Sequence, residues 1–464
     1  QSAIEEVSVA FSSVSIAAAQ KAINTASFKE MQTQSARDWN TNLSKIAVSG
    51  DLESAKLFYS LLYRTMQSPY VISEPDGQYR NTKGELQKDK EIRYNGWAIW
   101  DNYRTQLPLL SLITPERYSG MVTSIAEMYQ SGKKDYATQT EPSNTVRTEH
   151  AIVVLLDAYR KGYPVDFKKI TDSLVKEVDH LDYKSPDKAL ESSYDNWALS
   201  EIFTILKNKE KADFYRNKAL DYKKYWIKDF KDMTKRDVDQ MQARGLYQGT
   251  IWQYRWFVPY DFKGLVALDG GEDAYLAKLD EFFERDLYNH ANEPDLQVPL
   301  MYNFTKDVYK SQYWMHQLAA DTVIQNYFND NSRGIGSYIG KIYRNQPHAY
   351  LRTMDDDAGA MSAWYVFTAS GFSPACVGWP MYYLNVPLFP AVTYQLPKGK
   401  TFKIEVEQFN PKHKYIHSVK LNGKPFNRNY ITQQDIAEGG VLTIVSSAVP
   451  VKNEGLEKWI SSIE

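Results

Sequence analysis

The chain has 464 residues and a formal net charge of −2, with 43% hydrophobic and 24% charged residues. This near-neutral composition is typical of a globular protein without a polyelectrolyte tail, so we expect no nucleic-acid partner. No apolar run approaches the roughly eighteen residues that a membrane helix needs, so we expect no membrane span.

Two further features of the composition bear on chemistry. Cys376 is the only cysteine, which excludes an internal disulfide and a multi-cysteine zinc site. The 34 Tyr, 19 Phe and 11 Trp residues make up 14% of the chain. Aromatic rings fill large cores, and their flat apolar faces with polar edges also suit sugar rings. The composition leaves both interpretations open.

The start of the chain alternates in the manner of a half-buried strand. Val7, Val9 and Phe11 occupy every second position, so residues 1–16 are predicted to contain a strand. The following residues offer this strand no obvious neighbour, and it is interpreted as the remnant of a larger β domain. Residues 17–47 carry a polar helical pattern and are predicted to be a helical linker.

Residues 48–379 alternate amphipathic helical segments with loops. In segments such as LESAKLFYSLLYRTM and EHAIVVLLDAYRKG, apolar residues recur at every third or fourth position. Several segments end at Gly or before Pro. About a dozen such segments without a fixed repeat length favour an (α/α)6 toroid of paired helices over a solenoid.

The pattern changes over residues 380–464. Short β-branched and aromatic runs such as FKIEVEQF and LTIVSSAV predict strands, and Asn-Gly in LNGKPF predicts a hairpin turn. We therefore expect a mainly α fold, in which the (α/α)6 toroid is followed by a small C-terminal all-β module.

The strongest local signal for chemistry is MDDDAGAMSAWYVFTASGF, residues 354–372. Asp355, Asp356 and Asp357 precede a predicted helix, and one of them could simply cap it. Three adjacent carboxylates repel one another unless a cation or a shared proton relieves them. A metal-binding or acid–base role is therefore predicted.

A second acidic stretch is HANEPDLQVPLMYNF, residues 290–304. Asn292, Glu293 and Asp295 lie around Pro294, and amide and carboxylate oxygens on a bent loop are the ligands that calcium prefers. The spacing does not match an EF-hand loop. Taken alone, the stretch is more typical of a turn than of a metal site.

Four other stretches carry weaker signals. WAIWDNYR places Trp100, Asp101 and Arg104 within one helical turn, as in a surface ion pair or in a subsite that stacks a sugar and binds its hydroxyls. GLYQGTIWQYRWFVPYD surrounds Gln248 with aromatics that include Trp252 and is typical of a wall of a sugar site. RTEHA and ESSYDNW contribute further candidates, which are His150, Glu191 and Asp195.

Several common active sites are absent from the sequence. It contains no G-x-S-x-G nucleophile elbow, no phosphate-binding P-loop, no G-x-G-x-x-G fingerprint and no H-E-x-x-H zinc helix. The acidic stretches therefore remain the leading candidates for catalysis.

Taken in order, these motifs resemble glycoside hydrolase family 92, the calcium-dependent exo-α-mannosidases. The resemblance rests on WDNYR, YQGTIWQYRWFVPYD, NEPDLQVPLMYNF and DDDAGAMSAWYVFTASGFSP, followed by LFPAVTYQLPKGKTF and LNGKPFNRNYIT. It runs over nearly the whole chain. Members of the family begin with a β-sandwich domain, so the strand in residues 1–16 would be the last of that sandwich, and the rest would be missing from this chain.

The resemblance implies an inverting mechanism and a calcium ion that binds the mannose. The residues that match the family's motifs are Asn292, Glu293, Asp357 and Gln297 as calcium ligands, Asp355 and Asp357 as the groups that activate water, and Trp100, Asp101, Arg104, His150, Trp252 and Glu293 as substrate contacts. A mannose-containing glycan substrate implies a secreted or periplasmic location.

One departure from the family pattern matters most. Where the family has a glutamate that protonates the leaving group, this chain has Gln248. The Gln pattern resembles mannosyl-phosphate hydrolases, which remove mannose from mannose-1-phospho-6-mannose caps, because a phosphate leaves without protonation. Two alternatives remain open. The protein could be an ordinary exo-α-1,2-mannosidase with another acid, such as Glu149, or a degenerate protein that binds mannosides without cleaving them.

Overall fold

The structure, a computed structural model, describes residues 7–131, 147–326, 334–347, 349–351, 353–452 and 455–463. Its α-helices are α1 (Ile16–Ala22), α2 (Phe28–Leu43), α3 (Leu52–Arg64), α4 (Ile99–Asn102), α5 (Gln106–Ile113), α6 (Pro115–Ser131), α7 (Ala151–Arg160), α8 (Phe167–Val178), α9 (Pro186–Ile205), α10 (Lys209–Leu220), α11 (Tyr222–Asp229), α12 (Ile251–Tyr254), α13 (Phe262–Asp269), α14 (Glu272–Glu284), α15 (Val308–Ala320), α16 (Ala360–Ser370) and α17 (Gln433–Glu438).

The strands are shorter and concentrate towards the C-terminus. They are β1 (Ile46–Ser49), β2 (Tyr70–Val71), β3 (Gln78–Arg80), β4 (Leu86–Lys88), β5 (Tyr94–Asn95), β6 (Thr322–Gln325), β7 (Tyr338–Lys341), β8 (Phe372–Ser373), β9 (Met381–Leu384), β10 (Ala391–Gln395), β11 (Thr401–Glu407), β12 (Tyr415–Leu421), β13 (Lys424–Pro425), β14 (Tyr430–Thr432) and β15 (Gly440–Ser447). Short 3₁₀ turns include Glu293–Asp295 and Val298–Phe304.

The helices fall into two kinds by burial. Every residue of α5 and α16 is buried, and α7 is buried from Ala151 to Ala158. By contrast, α8 buries only Phe167, Ile170, Leu174 and Val178, the spacing of one helical face. Helices that are apolar all round line the inside, and amphipathic helices cover them. Buried helices covered by amphipathic ones are what an (α/α)6 toroid requires, and the mainly α domain with its C-terminal β module confirms the predicted fold class.

A six-stranded sheet forms most of the C-terminal module, in the order β1-β10-β11-β15-β12-β13. Alternate residues of β11 point into the core, with Phe402, Ile404 and Val406 buried. The neighbouring β15 runs parallel to β11 and buries Leu442 and Ile444. This alternation of buried and less buried residues matches the two-residue spacing of apolar residues in the sequence.

The first strand of that sheet comes from the other end of the chain. β1 pairs antiparallel with β10, and Ile46 lies opposite Tyr394. The prediction of a helical linker over residues 17–47 is therefore wrong for Ile46 and Ala47, although α1 and α2 occupy most of that range. The boundaries of the domains stay predictions.

The strand predicted in residues 1–16 does not form in the described part of that range. Residues 7–14 have no helix or strand, and Val7, Val9 and Phe11 are 83%, 69% and 87% exposed. Alternation produces a strand only where another backbone can pair with it, and α1 begins at Ile16 instead. Residues 1–6 lie outside the described residues.

Within the described residues, no helix combines the length and the apolar character that crossing a membrane requires.

Candidate functional site

Three carboxylates from distant parts of the chain meet in one place. Asp101 lies in α4, Glu293 begins a 3₁₀ turn, and Asp357 lies in the turn before α16. One oxygen atom from each carboxylate lies within 4.8 Å of the other two. We call these residues the acidic cluster. It brings together Glu293 and Asp357, which the sequence assigned to a metal site, and Asp101, which it assigned to substrate.

The backbone that carries Asp357 is unusual. Asp357, Ala358 and Gly359 have successive φ values of 47°, 55° and 90°, and the left-handed region is unfavourable for residues with a Cβ. At Gly359 a Cβ would lie 3.0 Å from the Cα of Thr65. Strained backbone of this kind concentrates at functional sites, where the surrounding fold must hold it in place.

The three adjacent aspartates have separate environments. Asp356 accepts a hydrogen bond from the Ser362 N–H at 3.0 Å, and its own carbonyl accepts one from the Gly359 N–H at 3.1 Å. It therefore holds the start of α16. Asp355 is exposed, whereas Asp357 joins the acidic cluster. The capping and metal-binding interpretations of this stretch thus apply to different residues.

The electrostatics of the acidic cluster favour a cation. Burial raises the pKa of Asp101 to about 6, and the charge of Asp357 adds to that effect against the opposing charges of Arg147 and Arg104. Burial and the charges of its two neighbours also raise the pKa of Glu293 well above its usual range. Burial raises the pKa of Asp357. A bound cation would relieve all three carboxylates.

Asn292, beside the acidic cluster, fits a calcium ion. Its side chain is only 1% exposed, yet neither Oδ1 nor Nδ2 has a hydrogen-bond partner among the described residues. A buried amide without partners is costly, and a hard cation would use its oxygen. Gln297 is half-buried, and its Nε2 likewise has no partner among the residues described. The donor set of amide and carboxylate oxygens is the type that calcium takes.

Trp100 is fully buried beside the acidic cluster. Its Nε1 donates to Glu191 Oε1 at 2.8 Å, and Arg104 and Arg147 place their guanidinium carbons 4.8 and 4.4 Å from its ring centroid. Tyr247 meets the ring edge-on at 5.6 Å. Trp100 is 1% exposed, so its ring packs beneath the residues that line the site. Its stacking on a sugar stays a prediction.

His150 is held by a carboxylate. Its Nδ1 lies 2.7 Å from Asp195 Oδ1, and both residues are buried. The other ring nitrogen, Nε2, is buried without a partner among the described residues. His150 also has a left-handed φ of 65°. Asp195 therefore orients the ring, and Nε2 is left for a further interaction.

Gln248 lies between two parts of the site. On one side, the Tyr247 ring contacts Trp100; on the other, a Cβ at Gly249 would lie 3.1 Å from Asn292 Nδ2. Gln248 itself is exposed and has a φ of 50°. The backbone at this position is therefore next to both the calcium-type ligands and the Trp100 surface.

Two other candidates have different surroundings. Trp252 packs 6.3 Å from the Phe282 ring of α14 and lies beside Arg255, so its contacts are those of a core residue, and its substrate role stays a prediction. Glu149 pairs with Arg147 at 3.1 Å. Burial acts to raise the pKa of Glu149, but the charge and hydrogen bond of Arg147 outweigh it and lower that pKa. Glu149 is thus held ionised.

Some side chains around the site were not foreseen. Arg147 lies over both Trp100 and Tyr247, and His290 lies between the hydroxyls of Tyr288 and Tyr343. Arg147 stands two residues before Glu149 in RTEH, and that adjacency was its only signal. A histidine that is hydrogen-bonded to two tyrosines from different segments cannot be recognised from any sequence pattern.

Comparison with known proteins agrees with this architecture. The model of the glycosyl hydrolase family 92 catalytic domain matches residues 16–337 and 329–448. The fold is similar to that of the gh92 family glycosyl hydrolase ccman5, with a TM-score of 0.86 and 24% identity over 97% of this chain and 67% of that one. It is also similar to the family GH92 α-mannosidase BT3965 from Bacteroides thetaiotaomicron, with a TM-score of 0.81 and 23% identity over 96% of this chain and 63% of that one.

A third solved structure and a fungal protein are also similar to this chain. The family GH92 inverting mannosidase BT2199 from Bacteroides thetaiotaomicron VPI-5482 has a TM-score of 0.79 and 23% identity, over 96% of this chain and 67% of that one. An uncharacterized secreted glycosidase from Arthroderma benhamiae is 29% identical over 201 residues, which are 43% of this chain and only 23% of that protein. From the match to its catalytic-domain model, the chain belongs to glycosyl hydrolase family 92.

Proposed function

We propose that the protein is an inverting, calcium-dependent, exo-acting α-mannoside hydrolase whose preferred substrates are mannose-1-phospho-6-mannose caps on glycans. The observation that carries the proposal is the acidic cluster beside the unpaired amide of Asn292. Family membership supports glycoside hydrolysis, and the structures named as an α-mannosidase and an inverting mannosidase support the substrate and the stereochemistry.

In this proposal the chain's own residues hold both ion and sugar. Asn292, Glu293 and Asp357 are the principal calcium ligands, with Gln297 as an additional one. Bound calcium supplies positive charge that neutralises the carboxylates and attracts the mannose hydroxyls. Arg104 and His150 Nε2 are the groups left to bind sugar hydroxyls, because the guanidinium Nη2 of Arg104 and His150 Nε2 both lack partners in the described structure.

Asp355 and Asp357 would together activate the attacking water. Asp355 is exposed and can accept a proton from water, and its charge contributes to the raised pKa of Asp357. Asp355 lies outside the proposed calcium ligand set, so its carboxylate stays free to take the proton, while Asp357 helps to hold the water in place. In an inverting enzyme this water attacks the face of the sugar opposite the leaving group.

Gln248 determines which leaving groups are tolerated. A carboxamide donates a hydrogen bond but delivers no proton, and general-acid catalysis is worth about 10²–10⁴-fold in rate. A phosphate ester is a stable anion when it leaves and needs no proton. A neutral amide also avoids the repulsion that a glutamate would exert on that phosphate. Gln248 therefore favours a mannosyl phosphodiester.

Glu149 was the other candidate acid. Its ion pair with Arg147 and its lowered pKa keep it deprotonated near neutral pH. A general acid must carry its proton at the working pH. This environment weighs against an ordinary α-mannosidase that uses Glu149.

The test compares two substrates that differ only in the leaving group. We expect kcat/KM for a mannosyl phosphodiester to exceed that for methyl α-mannoside by at least about 100-fold, since only the second needs a proton. Excess EDTA should abolish hydrolysis, and added calcium should restore it. Equal rates on both substrates would contradict the phosphodiester preference, and binding without turnover of either would indicate a degenerate mannoside-binding protein.

We also propose that the protein acts in a secreted or periplasmic setting. The Arthroderma benhamiae relative is named a secreted glycosidase, and a glycan substrate favours such a setting. Fractionation of the source cells tests the location.

A further inference from the structure

A buried chain of hydrogen bonds crosses from the loop of Glu293 to the helix that follows Asp357. Tyr288 Oη lies 2.7 Å from His290 Nδ1, and His290 Nε2 lies 2.7 Å from Tyr343 Oη. Tyr343 Oη in turn donates to the Met361 carbonyl at 2.8 Å. Tyr288, His290 and Tyr343 are 2%, 0% and 1% exposed, so water does not compete for these bonds. We call this chain the His290 relay.

The donors and acceptors of the His290 relay can be assigned. A backbone carbonyl only accepts, so the hydroxyl hydrogen of Tyr343 is used at Met361. Tyr343 oxygen must then accept from His290, which places the imidazole hydrogen on Nε2. A fully buried ring without a carboxylate partner is neutral, so Nδ1 accepts from Tyr288. Every side-chain hydrogen-bonding group of the relay has a partner, and each hydrogen bond is donated in the direction from Tyr288 towards Met361.

The two ends of the relay hold different calcium-type ligands. His290 lies two residues before Asn292 and three before Glu293, whereas Met361 lies in the first turn of α16, four residues after Asp357. Trp364 Nε1 makes a second connection between the same elements by donating to the Leu296 carbonyl at 3.0 Å.

Ring packing makes this connection stiff. The Trp364 ring meets His290 edge-on at 4.5 Å and lies nearly parallel to Tyr343, with an angle of 7° between the planes. The His290 backbone N–H also donates to Gln325 Oε1 at 2.7 Å. The imidazole is thus fixed in position, orientation and tautomer.

We propose that His290 and Tyr343 are positioning residues that set the distance between the two halves of the calcium ligand set, Asn292 and Glu293 on one side and Asp357 on the other. The inference rests on the proposed calcium site. A cation bound by two separate segments binds tightly only when both are held at the right spacing beforehand. Partners outside the ligand sphere are typically worth about 10–100-fold in metal affinity.

The experiment measures calcium affinity rather than turnover. Tyr343→Phe keeps the ring and removes the hydroxyl, which breaks the relay at both His290 and Met361. The matched control is Tyr394→Phe: Tyr394 is equally buried and donates to Ser370 Oγ at 2.9 Å, at the other end of α16. Titration calorimetry gives the calcium Kd of each variant, and thermal unfolding in EDTA gives its metal-free stability.

We expect Tyr343→Phe to raise the calcium Kd about 10-fold, while Tyr394→Phe stays within about twofold of the unsubstituted protein at a comparable loss of metal-free stability. If Tyr343→Phe does not fold, His290→Phe removes the hydrogen that Nε2 donates to Tyr343, which breaks the same link and carries the same expectation. Equal affinities in the relay variants and the control would overturn the proposal. No calcium uptake by the unsubstituted protein would instead overturn the calcium site and, with it, this inference.

Discussion

The C-terminal sheet and the acidic cluster use buried residues in opposite ways. In the sheet, β11 and β15 pair along six residues, and their buried side chains over this stretch, Phe402, Ile404, Val406, Leu442 and Ile444, are apolar. In the acidic cluster, three carboxylates crowd together, a buried amide lacks partners, and the supporting turn has left-handed backbone. The sheet pairs its backbone groups internally, whereas the cluster leaves like charges and an unpaired amide that a cation, in our proposal, would relieve.

This difference separates residues that stabilise the fold from residues that the fold must support. Removing an apolar side chain from the sheet should cost stability and leave chemistry alone. Removing a charge from the cluster should cost chemistry and relieve the metal-free fold, because like charges repel in a buried site. The following predictions test this contrast.

The largest effect is expected at Asp357. Asp357→Asn removes one ligand and one candidate base, so we expect hydrolysis of a mannosyl phosphodiester to fall by at least about 10³-fold. In EDTA the same variant should unfold at a higher temperature, because one of three crowded charges is gone. Initial rates and thermal unfolding measure the two effects.

The counterpart in the sheet is Ile444→Ala. Ile444 is fully buried, so the truncation should cost about 2–5 kcal/mol of unfolding free energy and leave kcat of the folded protein unchanged. Should Asp357→Asn destabilise the metal-free protein as much as Ile444→Ala does, the contrast between the two regions fails.

The second effect concerns the leaving group. Gln248→Glu supplies a group that can carry a proton, so kcat/KM for methyl α-mannoside should rise about 10²-fold or more. The added charge should slow hydrolysis of the phosphodiester, because it repels the phosphate. Steady-state kcat/KM values on both substrates measure these opposite changes. A lower kcat/KM on both substrates would argue against Gln248 as a neighbour of the leaving group.

The third effect is a pH dependence of calcium stabilisation. The pKa of Asp101 is raised to about 6 by burial and by Asp357, above the value near 3.9 expected in the unfolded chain. A raised carboxyl pKa contributes stability that is full below the unfolded value and is lost as pH rises through the folded one. The metal-free protein should therefore lose stability between about pH 4 and pH 6.

Bound calcium removes this loss of stability because it favours the ionised form of the cluster's carboxylates. The difference in Tm between calcium and EDTA should consequently be larger at pH 7 than at pH 5. Thermal scans at both pH values provide the measurement, and an unchanged difference would mean that the carboxylates do not bind the ion.

The smallest effect is expected next to the cluster, at Asp356. Asp356→Ala loses the bond from the Ser362 N–H and should cost about 1 kcal/mol of stability, while Asp356→Asn keeps an acceptor oxygen and should cost a few tenths. Both variants should keep most of their activity. Loss of activity in Asp356→Asn comparable to that in Asp357→Asn would show that the three aspartates act together.

The sequence could predict the part of the site that depends on residue type. Asp357 and Glu293 were predicted to share a site because crowded carboxylates and an acidic bent loop suit a cation, and the structure brings the two side chains together. Asp101 was assigned to substrate instead, because its distance from the other two carboxylates depends on how α4 packs. The hydrogen bonds of His290 could not be foreseen, since they join segments that nothing in the sequence pairs.

The fold shows the same limit. The amphipathic helices such as α8 and the C-terminal strands follow from the periodicity of their apolar residues. The pairing of β1 with β10 joins residues far apart in the chain, and its four residues are too few for a clear pattern. The alternation of Val7, Val9 and Phe11 is typical of a strand, but no described strand pairs with these residues. Periodicity alone therefore gave a wrong prediction here.

The central claim is that no group in this site protonates the departing oxygen. Its most direct test is kcat/KM for a series of aryl α-mannosides that differ in the pKa of the phenol released. Without an acid, the rate must depend on how well the leaving group carries negative charge, so log kcat/KM should fall steeply as the phenol pKa rises, and the slope should flatten in Gln248→Glu. A shallow slope in the unsubstituted protein would contradict the account, because it would mean that another residue donates the proton.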